Sequence, residues 1–179
     1  MKTIKYFFSA VIVVSLIACG ETKVEESKDE KAELLKTISE LEERLFANTE
    51  KYDETAAHAI VRHYGNFAEK YPEDEKTPNF LFKAGEVSMS LNRSGEAIKY
   101  FTDLNDKYSS FDKSAYALFL VGFVYDTQIG DTANAKIAYE KFIETYPNHE
   151  MVGDAKASIG MLGKSPEDII KEFEAKNQQ

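Results

Sequence analysis

The 179-residue sequence predicts an all-α fold, an α-solenoid of antiparallel helix pairs that follows a secretory leader and a short linker. Three observations carry that prediction. An aromatic pattern recurs at offsets of 37 and 38 residues, as Tyr64-x-x-Phe67-x-x-x-Tyr71-Pro72, Phe101-x-x-Leu104-x-x-x-Tyr108-Ser109 and Tyr139-x-x-Phe142-x-x-x-Tyr146-Pro147. Ahead of the second and third copies lie matching segments, Leu81-x-x-Ala84-Gly85 and Leu118-x-x-Val121-Gly122-x-x-Tyr125, each followed by a turn containing Gly95 or Gly130. Helix punctuation falls at the repeat boundaries. Thr77-Pro78 and Ser165-Pro166-Glu167-Asp168 each place a hydroxyl residue before a proline suited to the first helical position.

Composition sets the outer limits. With 43% hydrophobic and 12% aromatic residues the chain can bury one proper core, and its apolar content is too high for wholesale disorder. The net charge of −9 opposes attraction to nucleic acid or anionic headgroups, so no nucleic-acid partner is expected. A single cysteine removes any intrachain disulfide and any multi-cysteine zinc site.

Taken in order, Lys2 and Lys5 make a short basic start, and Tyr6 to Ala18 is an apolar run of 13 residues. That is shorter than the roughly 20 residues a membrane-spanning helix needs and fits the core of a secretory signal. Residues 1–18 are therefore read as a signal peptide. The run ends Leu16-Ile17-Ala18-Cys19, which resembles the lipobox of bacterial lipoproteins. The resemblance implies cleavage before Cys19, diacylglycerol on its sulfur and a membrane anchor through the acyl chains. Gly20 rather than Asp after the cysteine implies the outer membrane, with periplasmic and surface faces both open. The bland alternatives are an ordinary leader with an accidental cysteine, or a buried apolar helix with a free thiol. Basic start, run length and lipobox together favour lipidation.

Residues 19–30 comprise that cysteine and an acidic stretch without periodic apolar positions, expected to be a flexible tether. From Lys31 the pattern changes. Leu34, Ile38, Leu41 and Leu45 follow a 4-3-4 spacing, the signature of an amphipathic helix over about 31–48 within a segment ending near residue 54. Its apolar stripe either packs on the domain that follows or drives self-association into a homo-oligomer. Further helices are expected over 55–71, 78–91, 95–108, 113–128, 132–145, 150–162 and 166–175, so that 55–179 forms a stack whose first and last pairs act as caps.

These residues resemble the tetratricopeptide repeat (TPR). Leu118, Val121, Gly122, Tyr125, Ala135, Tyr139 and Pro147 fall on successive signature positions, with one extra residue in the turn around Gly130. Gly85, Ala97 and Phe101 hold the equivalent places one repeat earlier. Small residues let paired helices approach while aromatics fill the space between pairs. The departures are the absence of Trp, Ser88 where Tyr is usual and Ser109 where Pro is usual. By resemblance, partners bind a concave surface lined by each repeat's first helix, here Asn79, Phe82, Lys83, Glu86 and Met89, then Tyr116, Phe119, Phe123 and Asp126. The aromatic stripe among them could equally be core. The expected function is thus a lipid-anchored TPR scaffold of the Gram-negative envelope that binds an envelope protein or peptide. Relatives of that general kind are the TPR lipoprotein of the β-barrel assembly machinery and the Tol-Pal coordinator. The rival reading is a self-associating structural lipoprotein with the repeats as spacers.

Enzymatic motifs are declined. His58 and His63 are five residues apart and cannot share a helix face, and His149 falls in a turn, so no metal is expected. His149-Glu150 would need its second histidine at Gly153. Ser110-Phe111-Asp112-Lys113 fits S-x-x-K without its companion motifs. Asn92-Arg93-Ser94, formally a glycosylation sequon, is read as a turn. No catalytic residue and no cofactor are expected.

Overall fold

A computed structural model describes residues 21–46 and 53–176. The signal-peptide and lipidation assignments, Cys19 included, lie outside these residues. Among those described there are eight α-helices and no strand: α1 (Glu21–Phe46), α2 (Glu54–Lys70), α3 (Thr77–Ser90), α4 (Ser94–Lys107), α5 (Ser114–Val124), α6 (Thr132–Thr145), α7 (Val152–Met161) and α8 (Pro166–Lys176). A π-helical turn, Tyr125–Ile129, continues α5. From α2 to α7 each helix packs against the next, the arrangement of a TPR-like solenoid. No described helix is long and apolar enough to cross a membrane.

The chain divides into two compact units at residues 36 and 37, inside α1. Two features of α1 differ from the sequence reading. The stretch 21–30, expected to be a tether, is helical. It holds no Gly or Pro, and Glu and Lys are good helix formers, so the helix nucleated by the apolar stripe extends at little cost per residue. From Thr37 onward α1 belongs to the same unit as the repeats rather than to a separate segment ending at 54. Within that unit Ile38, Leu41 and Leu45 are buried. The Glu42 carboxylate accepts hydrogen bonds from Tyr64 Oη at 2.6 Å and Lys83 Nζ at 2.6 Å, which ties α1 to α2 and α3.

The core follows the repeat. Phe101 and Leu104 of α4 are fully buried with Leu81, Phe82, Leu120, Val121 and Val124 around them. Tyr139 and Phe142 of α6 occupy the same places against Leu118, Phe119 and Ala155. The glycines of the first helices are needed for this. A Cβ on Gly122 would stand 2.6 Å from the Tyr139 ring, and one on Gly85 would collide with Phe101 in the same way. Ala97 and Ala135 are buried at the matching close approaches, while Pro147 is exposed in the turn after α6.

Thr77 does not cap α3. It is fully buried, and its hydroxyl donates to the Tyr71 carbonyl at 2.5 Å, satisfying a C-terminal acceptor of α2. Ser114 repeats the device on Tyr108 at 2.6 Å, one repeat later. Ser165 does cap, accepting from the Asp168 amide at 3.2 Å. The caps of α2 and α6 are Asp53 and Asp131, which accept from the Ala56 and Asn134 amides at 2.9 and 3.0 Å.

Those amides hold both aspartates below the ordinary carboxylate range, with Arg44 adding to the effect at Asp53 and the Asn134 side chain at Asp131. A depressed folded-state pKa adds stability above the unfolded value, about 3.9, and loses it as pH falls through the folded value. The Asp53→Asn/Asp131→Asn double variant is therefore expected to show a flatter loss of stability below about pH 4 than the parent chain, read by denaturant midpoints at each pH.

The extra residue before Gly130 is absorbed by the π turn. In the preceding repeat the Arg93 amide closes on the Ser88 carbonyl at 2.8 Å across a left-handed Asn92 with φ of 54°. In the next, the Asp131 amide reaches the Tyr125 carbonyl at 2.8 Å across Gly130 with φ of 74°, one residue wider. The widened turn points Gln128 at its neighbour. Its amide donates to the Met89 carbonyl at 2.8 Å and its oxygen accepts from Ser94 at 2.9 Å, linking the tips of successive hairpins.

Candidate functional site

The residues expected to line a binding face sit on α3, on α5 and in the π turn, and they divide into two groups. Phe82 and Phe119 face inward and are 2% and 8% exposed. Met89 packs partly buried against the core. Of the two readings the sequence leaves open for the aromatic stripe, each holds in part: Phe82 and Phe119 are core, and Tyr116 and Phe123 are exposed. The reason lies in α5 (SAYALFLVGFV), which packs between α4 and α6 and is apolar nearly all round, so no polar face marks the outward side.

Tyr116 and Phe123 remain outside, each 38% exposed. They are seven residues apart, two helical turns, and share one face of α5. Tyr116 stacks nearly parallel on Phe119 with centroids 6.5 Å apart and lies 6.0 Å from Phe82, so the exposed ring rests on a rigid aromatic base. Lys113 places its ammonium 4.6 Å from the centre of the Phe82 ring. Beside it stands Glu86. Burial of its surroundings raises its carboxyl above the usual range, and Lys113 and Lys83 pull it partly back. Lys83 is engaged with Glu42, and Asn79 is half-buried at the start of the same stripe. Asp126, in the π turn, is also raised by burial.

The face therefore offers two aromatic rings, a lysine and a carboxylate that solvates poorly in the free protein. Aromatic groups on a fixed base bury large area at small entropic cost, and charged neighbours set the register of an incoming chain. Nothing in this arrangement is a nucleophile with a base. Among the described residues, no group of three His, Cys, Asp or Glu side chains is placed to hold a metal ion. His149 instead accepts from the Met151 amide at 3.2 Å and sets its ring against Phe142.

Stacked helical hairpins with packed interiors and one side-chain-rich face define a class of interaction scaffolds. Residues 116–149 match the family model described as tetratricopeptide repeat. The chain thus contains a segment similar to a tetratricopeptide repeat, and that segment is the α5–α6 hairpin that carries Tyr116 and Phe123. TPR folds are typically non-enzymatic modules that bind protein partners. No curated protein matches the chain.

Sequence reasoning missed the interhelical polar ties, namely Gln128 on Met89, Thr77 on Tyr71 and Asn105. The last is buried and donates to both the Ser114 carbonyl at 3.2 Å and Tyr146 Oη at 2.7 Å. A signal existed for one of them: Thr77 and Ser114 recur at the 37-residue offset of the aromatic pattern.

Proposed function

We propose that this chain is a lipid-anchored TPR scaffold of the bacterial cell envelope, held through Cys19 and binding a partner protein or peptide on the face of its first helices. The observation that carries the partner site is the exposed pair Tyr116 and Phe123, seated on buried rings and flanked by Lys113 and Glu86. The lipobox-like Leu16-Ile17-Ala18-Cys19 after a short apolar run supports the anchor. Acyl chains contribute about 0.8 kcal/mol per buried methylene, enough with two chains for durable attachment. The alternative, self-association through α1, has less to draw on because Ile38, Leu41 and Leu45 are already buried within the chain.

The test is the double variant Tyr116→Ser/Phe123→Ser, expressed as the full chain in its bacterium. Both side chains stand at the surface, so helical circular dichroism and membrane fractionation are expected to stay as in the parent. Proteins that co-purify with the parent in mild detergent are expected to fall away at least tenfold, the effect of about 1.4 kcal/mol at an interface centre. Undiminished co-purification with the variant contradicts the assignment of this face.

A further inference from the structure

On the other side of the stack, a cleft of about 760 Å³ opens between the second helices α2 and α4. The corresponding groove between α4 and α6 is closed by an ion pair, Lys141 to Asp106 at 3.3 Å. By the repeat offsets, the residues matching Asp106 and Lys141 one repeat earlier are Glu69 and Asp103, two acids that cannot bridge. Asp103 turns instead to Lys99 and Lys107 of its own helix, each at 2.9 Å. Among the described residues no ion pair spans this groove, and one residue keeps its floor low. Gly65 stands where the later repeats carry Thr102 and Glu140, and a Cβ there would lie 2.6 Å from the Tyr100 hydroxyl.

The lining of the cleft includes three donors: the exposed Arg62 guanidinium, the Asn66 amide one turn on, and the Tyr100 hydroxyl of α4, which lies close against Gly65 between them in sequence. Among the described residues none of these side-chain groups makes a hydrogen bond or ion pair. Farther along, the floor is apolar, with Ala68 and Leu81, and Tyr108 closes the end by donating to the Pro72 carbonyl at 2.8 Å. From Arg62 to Lys70 the α2 wall is about 12 Å long at 1.5 Å per residue. Charge is also organised. The lining holds Arg62, Lys99 and Lys107 against Glu69 and Asp103, a surplus of one positive charge on a chain of net −9.

We infer that this cleft is a second binding site, for a monocarboxylic acid with an apolar body. The carboxylate accepts from Arg62, Asn66 and Tyr100, and the body lies over Ala68 and Leu81 toward Tyr108. Its size falls in the range of small-ligand sites, and an unpaired guanidinium beside an apolar floor matches a singly charged amphiphile better than a polyanion. A free small acid and the C-terminus of a polypeptide present the same group.

The experiment is a titration of the full ¹⁵N-labelled chain in neutral detergent with 4-phenylbutanoate, followed by amide shifts, with 4-phenylbutanamide as the uncharged match. The acid is expected to produce saturable shifts confined to 62–72 and 99–108, and the amide none there. Arg62→Ala removes an exposed side chain and is expected to weaken acid binding about tenfold while leaving the remaining spectrum in place. Tyr100→Phe is expected to weaken it to a smaller extent. The tripeptide Ala-Ala-Phe with a free carboxylate separates the two sources: tighter binding than phenylbutanoate assigns a polypeptide C-terminus, and weaker binding a free acid. Absence of saturable shifts in the cleft, equal binding of acid and amide, or undiminished binding by folded Arg62→Ala overturns the inference.

Discussion

Phe101→Ala is expected to destabilise the chain by about 3–5 kcal/mol, among the largest effects any single substitution in the stack can have. The side chain is fully buried, within 5.9 Å of Phe82 between ring centres, and it fills the space that Gly85 opens. Its removal loses the transfer free energy of the ring and leaves a cavity between two hairpins that neighbouring helices cannot close without shifting. At about 2–4 °C per kcal/mol for a chain of this size, the melting temperature should fall by roughly 6–20 °C. Calorimetry or circular dichroism melts of the full chain read the change directly. The same substitution at half-buried Tyr100, on the adjacent position of α4, should cost far less.

Gly122→Val is expected to be comparably severe for the opposite reason. The new Cβ would stand 2.6 Å from the Tyr139 ring, whose side chain is 1% exposed. Valine adds two further methyl groups, and overpacking of this kind costs typically 1–3 kcal/mol and occasionally more. The gain in helix propensity over glycine, a few tenths of a kcal/mol, offsets little of it. A second substitution separates collision from any other cause. Tyr139→Leu, destabilising by itself, should cost much less in the Gly122→Val background, a coupling that a double-mutant cycle measures. Simple additivity of the two changes would contradict the close-approach account.

The two substitutions probe what was most legible in the sequence. The register of aromatic and small residues at 37 and 38 residues located α2 to α7 to within about two residues at most ends, because each repeat must present the same shapes to its neighbours. The orientation of α5 was not legible. Nine of its eleven residues are buried, so its pattern lacks the polar stripe that separates an exposed ring such as Tyr116 from a core ring such as Phe119. The helical state of 21–30 was equally hidden, since that stretch carries no periodic apolar positions for sequence patterning to register. The π turn was visible only as one surplus residue before Gly130. What that residue does, aiming Gln128 at the preceding hairpin, is a matter of backbone hydrogen bonding that apolar spacing does not encode.

The proposed partner site has a physical basis that the core does not share. Burying Tyr116 and Phe123 in a complex would remove apolar surface from water, while a cationic group on the partner would relieve the poorly solvated carboxylate of Glu86. Lys113, held above Phe82, supplies the opposite charge one turn from Tyr116 and favours a partner with alternating signs.

The most direct measurement is photo-crosslinking in living cells with a reactive amino acid replacing Phe123, and in a separate strain replacing Glu140, an exposed residue of α6 that serves as control. A discrete adduct of defined mass, identified by mass spectrometry, is expected from position 123 and none from position 140. A folded protein that yields no adduct at 123, or the same adducts at both positions, would contradict a partner site on this face.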